Sequence, residues 1–139
     1  LGYSREIEIL SDEIRVSAFI ERNVIEPEGF FGGKPGKRSG FLVKKNKGKK
    51  YNDMKNSFGT VCNGKFSDIY MLKGDCIKLV TSGGGGYGPP NKREFVKIEN
   101  DVSEGYVSKK IAEKEYLVCF DKFNKIDKKE TKLLRSKNK

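Results

Sequence analysis

Apolar residues alternate with polar residues over the first twenty positions of the chain. Residues 3–9 and 14–20 each place apolar side chains on alternate positions, and Ser11-Asp12 lies between the two runs. Period-two alternation is typical of a strand with one buried face, and two such runs joined by a short polar turn indicate an antiparallel hairpin. The pattern therefore predicts that these two strands pair with each other.

Further short strands are predicted before residue 82. Residues 24–40 interrupt the alternation with a loop that contains two adjacent aromatics, Phe30 and Phe31, and Lys73-Gly74 marks a tight turn. The apolar runs and the turn residues around them predict strands over Phe41–Val43, Gly59–Cys62, Ser67–Leu72 and Asp75–Thr81.

The apolar spacing changes from strand-like to helical after residue 90. Phe95, Ile98 and Val102 lie three and four positions apart, which gives one apolar face to a helix that starts near Pro90. Gly105 stands where that helix would end, and Ser108 is a suitable N-cap for a second short helix.

The chain is expected to end in a strand over Leu117–Phe120 and a mobile, lysine-rich tail over residues 121–139. The predicted fold class is α+β, with a β-rich antiparallel first two-thirds followed by two short helices and a flexible basic tail.

Charge is unevenly distributed along the chain. The 139 residues carry 29 basic and 19 acidic side chains, a net charge of +10, and the excess lies in residues 34–55 and 122–139. Basic blocks of this kind are usually solvated loops and tails. Aromatics flank the blocks, as in a binder of single-stranded nucleic acid, but no nucleic-acid-binding module is recognisable, so no nucleic-acid partner is expected.

Cysteine and histidine usage limits the chemistry that this chain can perform. It has three cysteines without CxxC spacing and no histidine, which excludes Ser-His and Cys-His nucleophile pairs within the chain. Neither a signal peptide nor a long apolar segment is evident, so reduced thiols, no membrane association and a cytoplasmic location are expected. Neither a catalytic residue nor a metal ligand is predicted.

Four consecutive glycines, Gly83–Gly86, precede Tyr87-Gly88 and two prolines. Such a run suits a place where backbone passes close to a ligand or to another segment. The spacing also satisfies the dinucleotide-binding fingerprint, but Pro89-Pro90 stands where that fingerprint needs a helix, and no P-loop Gly-Lys-Ser/Thr follows. Both nucleotide-binding interpretations therefore fail.

Three segments together resemble one known family. Phe30–Gly36 (FFGGKPG) is followed by Lys73–Ile77 (KGDCI) with Thr81–Pro90 (TSGGGGYGPP), and then by Val102–Ser108 (VSEGYVS) with Glu115–Val118 (EYLV). In this order and spacing they are similar to motifs in the C-terminal part of the hydantoinase B half of the hydantoinase B/5-oxoprolinase family. Pro89-Pro90 replaces a usual Asp-Pro, and Leu117 replaces a glycine.

The resemblance implies a part in the ATP-dependent opening of a cyclic amide, such as 5-oxoproline or an N-methylhydantoin. Residues 1–120 would form the C-terminal portion of a hydantoinase B-like domain, and the chain would be a fragment or a separately encoded subunit, inactive in isolation. ATP and Mg²⁺ would bind to a hydantoinase A-like partner and not to this chain. The remainder of the hydantoinase B half would be a further partner.

Two loops are the candidates for contact with the cyclic-amide substrate. In the first loop, Gly32 and Gly33 allow close approach, while Lys34 and Arg38 are suited to pair with phosphate or carboxylate. In the second loop, the N–H groups of Gly84, Gly85 and Gly86 form a candidate anion-binding nest, and Tyr87 would cap a ring or donate its hydroxyl. The alternative is that both loops only pack against a missing portion or a partner, with Phe30 and Phe31 as anchors.

Two other functions stay open on the sequence alone. Related family members are ATP-dependent ketone carboxylases, and this chain would then be a piece of such an enzyme. From a different class, the chain would be a small basic module that binds RNA or an acidic protein. The salt dependence of binding would distinguish that module from the other two functions. Its affinity for RNA should fall steeply as the salt concentration rises, because each phosphate contact releases a counterion.

Overall fold

The computed structural model describes residues 1–137 of the chain. The elements in chain order are β1 (Ser4–Glu8), β2 (Glu13–Phe19), β3 (Gly40–Lys44), β4 (Asn52–Asp53), α1 (Met54–Phe58), β5 (Lys65–Leu72), β6 (Cys76–Val80), a short 3₁₀ helix (Pro90–Lys92), α2 (Phe95–Ser103), α3 (Lys109–Tyr116) and α4 (Lys128–Lys137). The mixture of antiparallel strands followed by short helices confirms the predicted α+β class.

The described chain divides into two compact units, and the division cuts through both candidate loops. The first unit comprises Leu1–Glu28 and Pro35–Gly85. The second comprises Gly29–Lys34 and the chain from Gly86 onward. Short stretches of the two loops therefore belong to the helical part of the molecule.

The first unit contains two antiparallel sheets. Four strands pair in the order β1-β6-β3-β4, and β2 pairs with β5 in a separate two-stranded sheet that has a bulge between Val16 and Ala18. Both sheets supply side chains to one core, in which Met54 and Met71 are fully buried. The other buried members of that core are Ile9, Val43, Phe66 and Ile77.

The predicted pairing of the first two strands is wrong. β1 pairs with β6 through contacts such as Ile7 opposite Ile77, and β2 pairs with β5 through contacts such as Val16 opposite Ile69. Alternation of apolar residues identifies a strand and its buried face, but it does not identify the partner strand. The tight turn predicted at Lys73-Gly74 is confirmed: it joins β5 to β6, and Gly74 has a φ of +84°.

The polar stretch before β5 contains a short helix, α1, and residues 59–62 after it form no strand. Asp53 caps α1 by accepting the Asn56 N–H at 2.7 Å, and Gly59 ends the helix with a φ of +67°. The predicted strand over Gly59–Cys62 is therefore wrong, whereas Ser67–Leu72 is confirmed as part of β5.

The second unit is built on helices with a core of their own. Ile98, Ala112, Val118 and Ile126 are buried together. Gly105 follows the end of α2 with a φ of +74°, and the Ser108 hydroxyl accepts the Ile111 N–H at the start of α3, as the sequence predicts.

The end of the chain differs from the expected strand. Leu117 ends α3 with a φ of +51°, and Phe120 makes only an isolated bridge to Ile126. The predicted tail contains α4, whose buried Thr131 accepts the Cys119 N–H at 2.9 Å. The mobility of residues 121–139 stays a prediction, and residues 138 and 139 lie outside the described part.

Within residues 1–137, no helix combines the length and the apolar character that crossing a membrane requires.

Candidate functional site

The two motif loops are held together by backbone hydrogen bonds inside the second unit. The Phe30 N–H donates to the Gly86 carbonyl at 2.8 Å, and the Gly86 N–H donates to the Lys34 carbonyl at 2.8 Å. The Gly88 N–H completes the set by donating to the Phe30 carbonyl at 2.9 Å. Three donors and three acceptors are thus satisfied by pairing segment 29–34 with segment 86–88.

Glycine is required in this pairing because the backbones nearly touch. A Cβ atom placed on Gly33 would lie 2.0 Å from the Gly86 carbonyl oxygen, and one on Gly29 would lie 2.2 Å from the Gly33 carbonyl oxygen. Gly32 has a φ of +87°, a conformation that glycine adopts without strain. Gly33 is therefore needed for close approach to the second loop, whereas Gly29 and Gly32 are needed for the conformation of the first loop itself.

Aromatic side chains are left exposed beside the paired backbones. The Phe31 and Tyr87 rings lie 5.2 Å apart between centroids, and these side chains are 77% and 81% exposed. Phe30 is also largely exposed. Aromatic surface of this size is costly to leave in water, so it marks a place suited to contact with another molecule or chain segment.

A cleft of about 600 Å³ lies next to these loops, within the second unit. It is lined by Lys34, Gly86, Tyr87, Gly88, Pro89, Pro90, Lys92, Arg93, Glu94, Lys97, Ile111, Glu115 and Tyr116. The loops, the 3₁₀ helix, α2 and α3 all contribute. Apolar, aromatic and charged groups therefore meet in one concave surface, which is typical of a small-molecule site.

An ion pair links the first loop to α3 across this cleft. The Lys34 ammonium group donates to the Glu115 carboxylate. This hydrogen bond holds the pKa of Glu115 below its usual value, although partial burial acts in the opposite direction. Lys34 therefore has its charge balanced within the chain.

The other cations of the cleft are compensated to different degrees. Arg93 donates to Asp101 at 2.6 Å, and Lys97 donates to Glu94 at 3.1 Å across one helical turn. No carboxylate of the described residues lies within ion-pair distance of Lys92. The cleft thus retains uncompensated positive charge.

The predicted site residues do not all come together. Lys34, Gly86 and Tyr87 line the cleft, and Gly33 packs against Gly86. The remaining predicted residues are placed as follows: Gly32 lies in the paired loop, whereas Gly84, Gly85 and Arg38 belong to the first unit, where Arg38 pairs with Glu26 at 3.7 Å.

The proposed anion-binding nest loses one of its three donors. The Gly86 N–H already donates to the Lys34 carbonyl, so it is not free to bind an anion together with those of Gly84 and Gly85. The glycine run here permits backbone packing, which was one of the two uses that its composition predicts.

Sequence reasoning missed the helical wall of the cleft. Lys92, Arg93 and Lys97 lie in a segment that was interpreted only for its apolar helical spacing. Glu115 and Tyr116 belong to a quoted family motif but were not proposed as site residues. The family motif that contains Glu115 and Tyr116 could have identified them, because it follows the two glycine-loop motifs along the chain.

The three cysteines are free thiols, and Cys76 is buried in the first unit. Burial raises the pKa of Cys119, which keeps its thiol protonated at neutral pH and unsuited to attack. Among residues 1–137, no group of three or more Cys, Asp or Glu side chains is arranged to hold a metal ion.

Similarity to known proteins extends over nearly the whole chain. The sequence profile described as hydantoinase B/oxoprolinase matches residues 1–90. An uncharacterized protein of Methanocaldococcus jannaschii is 34% identical over 138 residues, which cover 97% of this chain and 22% of that protein. The putative B subunit of a D-/L-hydantoinase from a Pseudomonas species is 28% identical, covering 97% of this chain and 21% of that protein.

Two solved structures share the fold. An ATP-dependent caprolactamase from Pseudomonas jessenii superposes with a TM-score of 0.63 at 21% identity, covering 97% of this chain and 22% of that one. Nucleotide-free acetone carboxylase superposes with a TM-score of 0.53 at 18% identity, covering 79% and 18%. The chain spans about a fifth of the length of these relatives, and its sequence places it in the hydantoinase B/oxoprolinase family.

Proposed function

We propose that this chain is part of an ATP-dependent cyclic-amide hydrolase, of the 5-oxoprolinase or N-methylhydantoinase type. In this proposal it supports the substrate site and the assembly of subunits, and the catalytic groups lie elsewhere. The observation that carries the proposal is the locked pair of loops, which presents Phe31 and Tyr87 beside a cationic cleft.

Cyclic amides are poor electrophiles, since the amide nitrogen donates electron density to the carbonyl carbon. ATP supplies a phosphoryl group that can convert the amide oxygen into part of a leaving group before water attacks. The residues of this chain do not fit a nucleotide site of their own, because Pro90 starts a 3₁₀ helix of only three residues directly after the glycine loop. The proposal therefore assigns ATP and Mg²⁺ to a hydantoinase A-like partner.

A supporting role agrees with the chemistry of the described side chains. The chain has no histidine, and the carboxylate that lines the cleft from α3 is already paired with Lys34. Lys34 and Tyr87 remain suited to orient a polar ring, while the exposed aromatics suit an interface. Cytoplasmic location is part of the same proposal.

The test is turnover by the natural assembly that contains this chain. We expect ADP release that depends on a cyclic amide, with 5-oxoproline, hydantoin, N-methylhydantoin and caprolactam as the substrates offered. ADP release that requires acetone and bicarbonate would instead identify the ketone carboxylase. Absence of any larger subunit from the purified complex would contradict the proposal.

Two substitutions separate a substrate role from an assembly role. If the loops contact substrate, Lys34→Ala and Tyr87→Phe should each lower kcat/KM by about tenfold, the effect of one lost polar contact, while the complex elutes unchanged on size exclusion. Phe31→Ala serves as the assembly probe, since loss of its exposed ring is expected to weaken subunit association. If Lys34→Ala and Tyr87→Phe dissociate the complex while the residual complex turns over normally, the loops serve assembly only.

A further inference from the structure

We propose that the cleft of the second unit binds a small organic anion, with Lys92 and Arg93 holding its carboxylate or phosphate group and Tyr87 and Tyr116 contacting its apolar body. This inference rests on the proposed function, which assigns substrate contact to Lys34 and Tyr87 of the same cleft, and it names the chemical class of the ligand; binding to this chain tests it separately from turnover by the assembly. The evidence for it is the size of the cleft, the charge of its lining and the carboxylate partners of each basic side chain.

The size of the cleft suits a small molecule. Its volume of about 600 Å³ lies inside the range of roughly 300–1,000 Å³ that is common for ligand pockets. Pro89 and Pro90 form part of the wall with restricted backbone freedom, and the two tyrosine rings add flat apolar surface. The proline part of the wall therefore loses little conformational entropy when a ligand binds.

The charge of the lining selects an anion. Four basic and two acidic side chains line the cleft, a net charge of +2, and Asp101, which pairs with the lining Arg93, reduces this excess to +1. Lys92 has no carboxylate partner within the described part of the chain. A cationic ligand would meet this excess unfavourably, whereas an anion would neutralise it.

Arg93 is suited to the recognition of an oxyanion. One nitrogen, Nη2, donates to Asp101, and the guanidinium carbon lies 6.0 Å from the centre of the Tyr116 ring. A guanidinium group carries five N–H donors, so this pairing leaves donors for a carboxylate or phosphate. Asp101 and Tyr116 also restrict the orientation of the side chain before a ligand arrives.

The pair of Lys34 and Glu115 sets the strength of binding. Lys34 and Glu115 both line the cleft and pair with each other, so an anion must compete with the Glu115 carboxylate for the ammonium group. Glu115→Gln removes one negative charge from the lining and keeps the side-chain size. We therefore expect this variant to bind anions several-fold more tightly.

The experiment is a titration of the ¹⁵N-labelled full chain, followed through the amide signals of Gly86, Gly88 and Ile111. Benzoate and phenyl phosphate are the probes, benzyl alcohol is the uncharged probe of similar shape, and inorganic phosphate is the probe without an apolar body. We expect saturable binding of both aromatic anions and at least tenfold weaker binding of benzyl alcohol. If benzoate binds more tightly than phenyl phosphate, the anionic group of the natural ligand is assigned as a carboxylate; if phenyl phosphate binds more tightly, it is assigned as a phosphate.

Substitutions locate the site. Lys92→Ala and Arg93→Gln should each weaken anion binding by about tenfold, while Lys110→Ala, which removes an exposed lysine of α3 outside the cleft, should leave it unchanged. Lys92→Ala keeps the test valid if Arg93→Gln disturbs folding. Equal binding of benzyl alcohol and benzoate, equal binding of inorganic and phenyl phosphate, or equal weakening by Lys110→Ala would overturn the proposal.

Discussion

Asp75 shows how a single buried charge organises the first unit. Its side chain is almost fully buried, and its carboxylate accepts hydrogen bonds from the Asn46 N–H, the Lys45 ammonium group and the Leu72 N–H. The donors lie in the basic segment after β3 and at the end of β5. Asp75 therefore ties the highly charged lysine segment to the turn between β5 and β6.

Replacing Asp75 by Asn should destabilise the protein by about 2–4 kcal/mol, because the amide NH₂ group would face donors where an oxygen now accepts. Urea unfolding would measure this loss. The matched control is Asp12→Asn, since Asp12 is fully exposed and lies 4.0 Å from Lys73. A loss as large for Asp12→Asn would show that general charge, and not the buried contacts, determines the stability.

Asp75 also makes the free energy of unfolding depend on pH. Burial alone would raise the pKa of Asp75, but the hydrogen bonds outweigh it and hold the pKa below the usual 3.8. Its contribution to stability is therefore full above the unfolded-state pKa and is lost as the pH falls through the folded-state pKa. Urea unfolding followed across pH should show that Asp75→Asn flattens this part of the stability profile, below about pH 4.

At the scale of elements, the glycines of the two loops differ in how closely other atoms approach them. An added Cβ on Gly33 would collide with the Gly86 carbonyl, whereas one on Gly84 would meet no atom within 4 Å. The two positions share a residue type but differ in surroundings. They form a matched pair for testing whether the loops need close backbone approach.

We expect Gly33→Ala to destabilise the second unit by about 1–3 kcal/mol, because the backbones must separate to admit the methyl group. Gly84→Ala should change stability by less than about 0.5 kcal/mol. Thermal unfolding and the protection of the Gly86 and Gly88 amides from hydrogen exchange would measure both. Unchanged protection in Gly33→Ala would contradict the geometry of the paired loops.

Local signals in the sequence predicted the helix ends and turns better than they predicted which strands pair. The cap at Ser108, the glycine after α2 and the turn at Gly74 each depend on neighbouring residues, and each is confirmed. The partner of β1 depends on residue 77 and its neighbours, seventy positions away, which alternation does not encode. Leu117 ends α3 in the left-handed region, which is uncommon for such a residue, and the sign of it in the sequence was that Leu117 stands where the family motif has a glycine.

The candidate site was predictable only in its loops. The glycines and Lys34 form a recognisable motif, so they were found without a structure. Arg93 and Lys97 belong to the site because the fold places them in the same cleft as Tyr87, and this proximity arises only in three dimensions. Charged residues on a helix are common on any surface, so the sequence alone gave no reason to select these two.

At the scale of the whole molecule, the two units have separate cores. Met71 is fully buried in the first core and Ile98 in the second. Each core is formed by its own elements: the two sheets and α1 in the first unit, and α2, α3 and the segments after them in the second. Local stability can therefore differ between the units.

We expect Met71→Ala and Ile98→Ala each to cost about 2–5 kcal/mol, the usual range for a large side chain removed from a core. Hydrogen exchange resolved by residue should show lost protection mainly within the unit that carries the substitution. Exposed Val61→Ala is the control, because that side chain is 95% exposed. Equal loss of protection in both units from either core variant would show that they unfold as one.

The short segment Gly29–Lys34 has a consequence for any attempt to divide the gene. It belongs to the second unit although the sequence on both sides of it belongs to the first. A polypeptide beginning at Gly86 would lack the carbonyls of Phe30 and Lys34 that accept the Gly88 and Gly86 N–H groups. Such a half would regain its native loop only by complementation, with a synthetic peptide or the first half supplying residues 29–34 in trans.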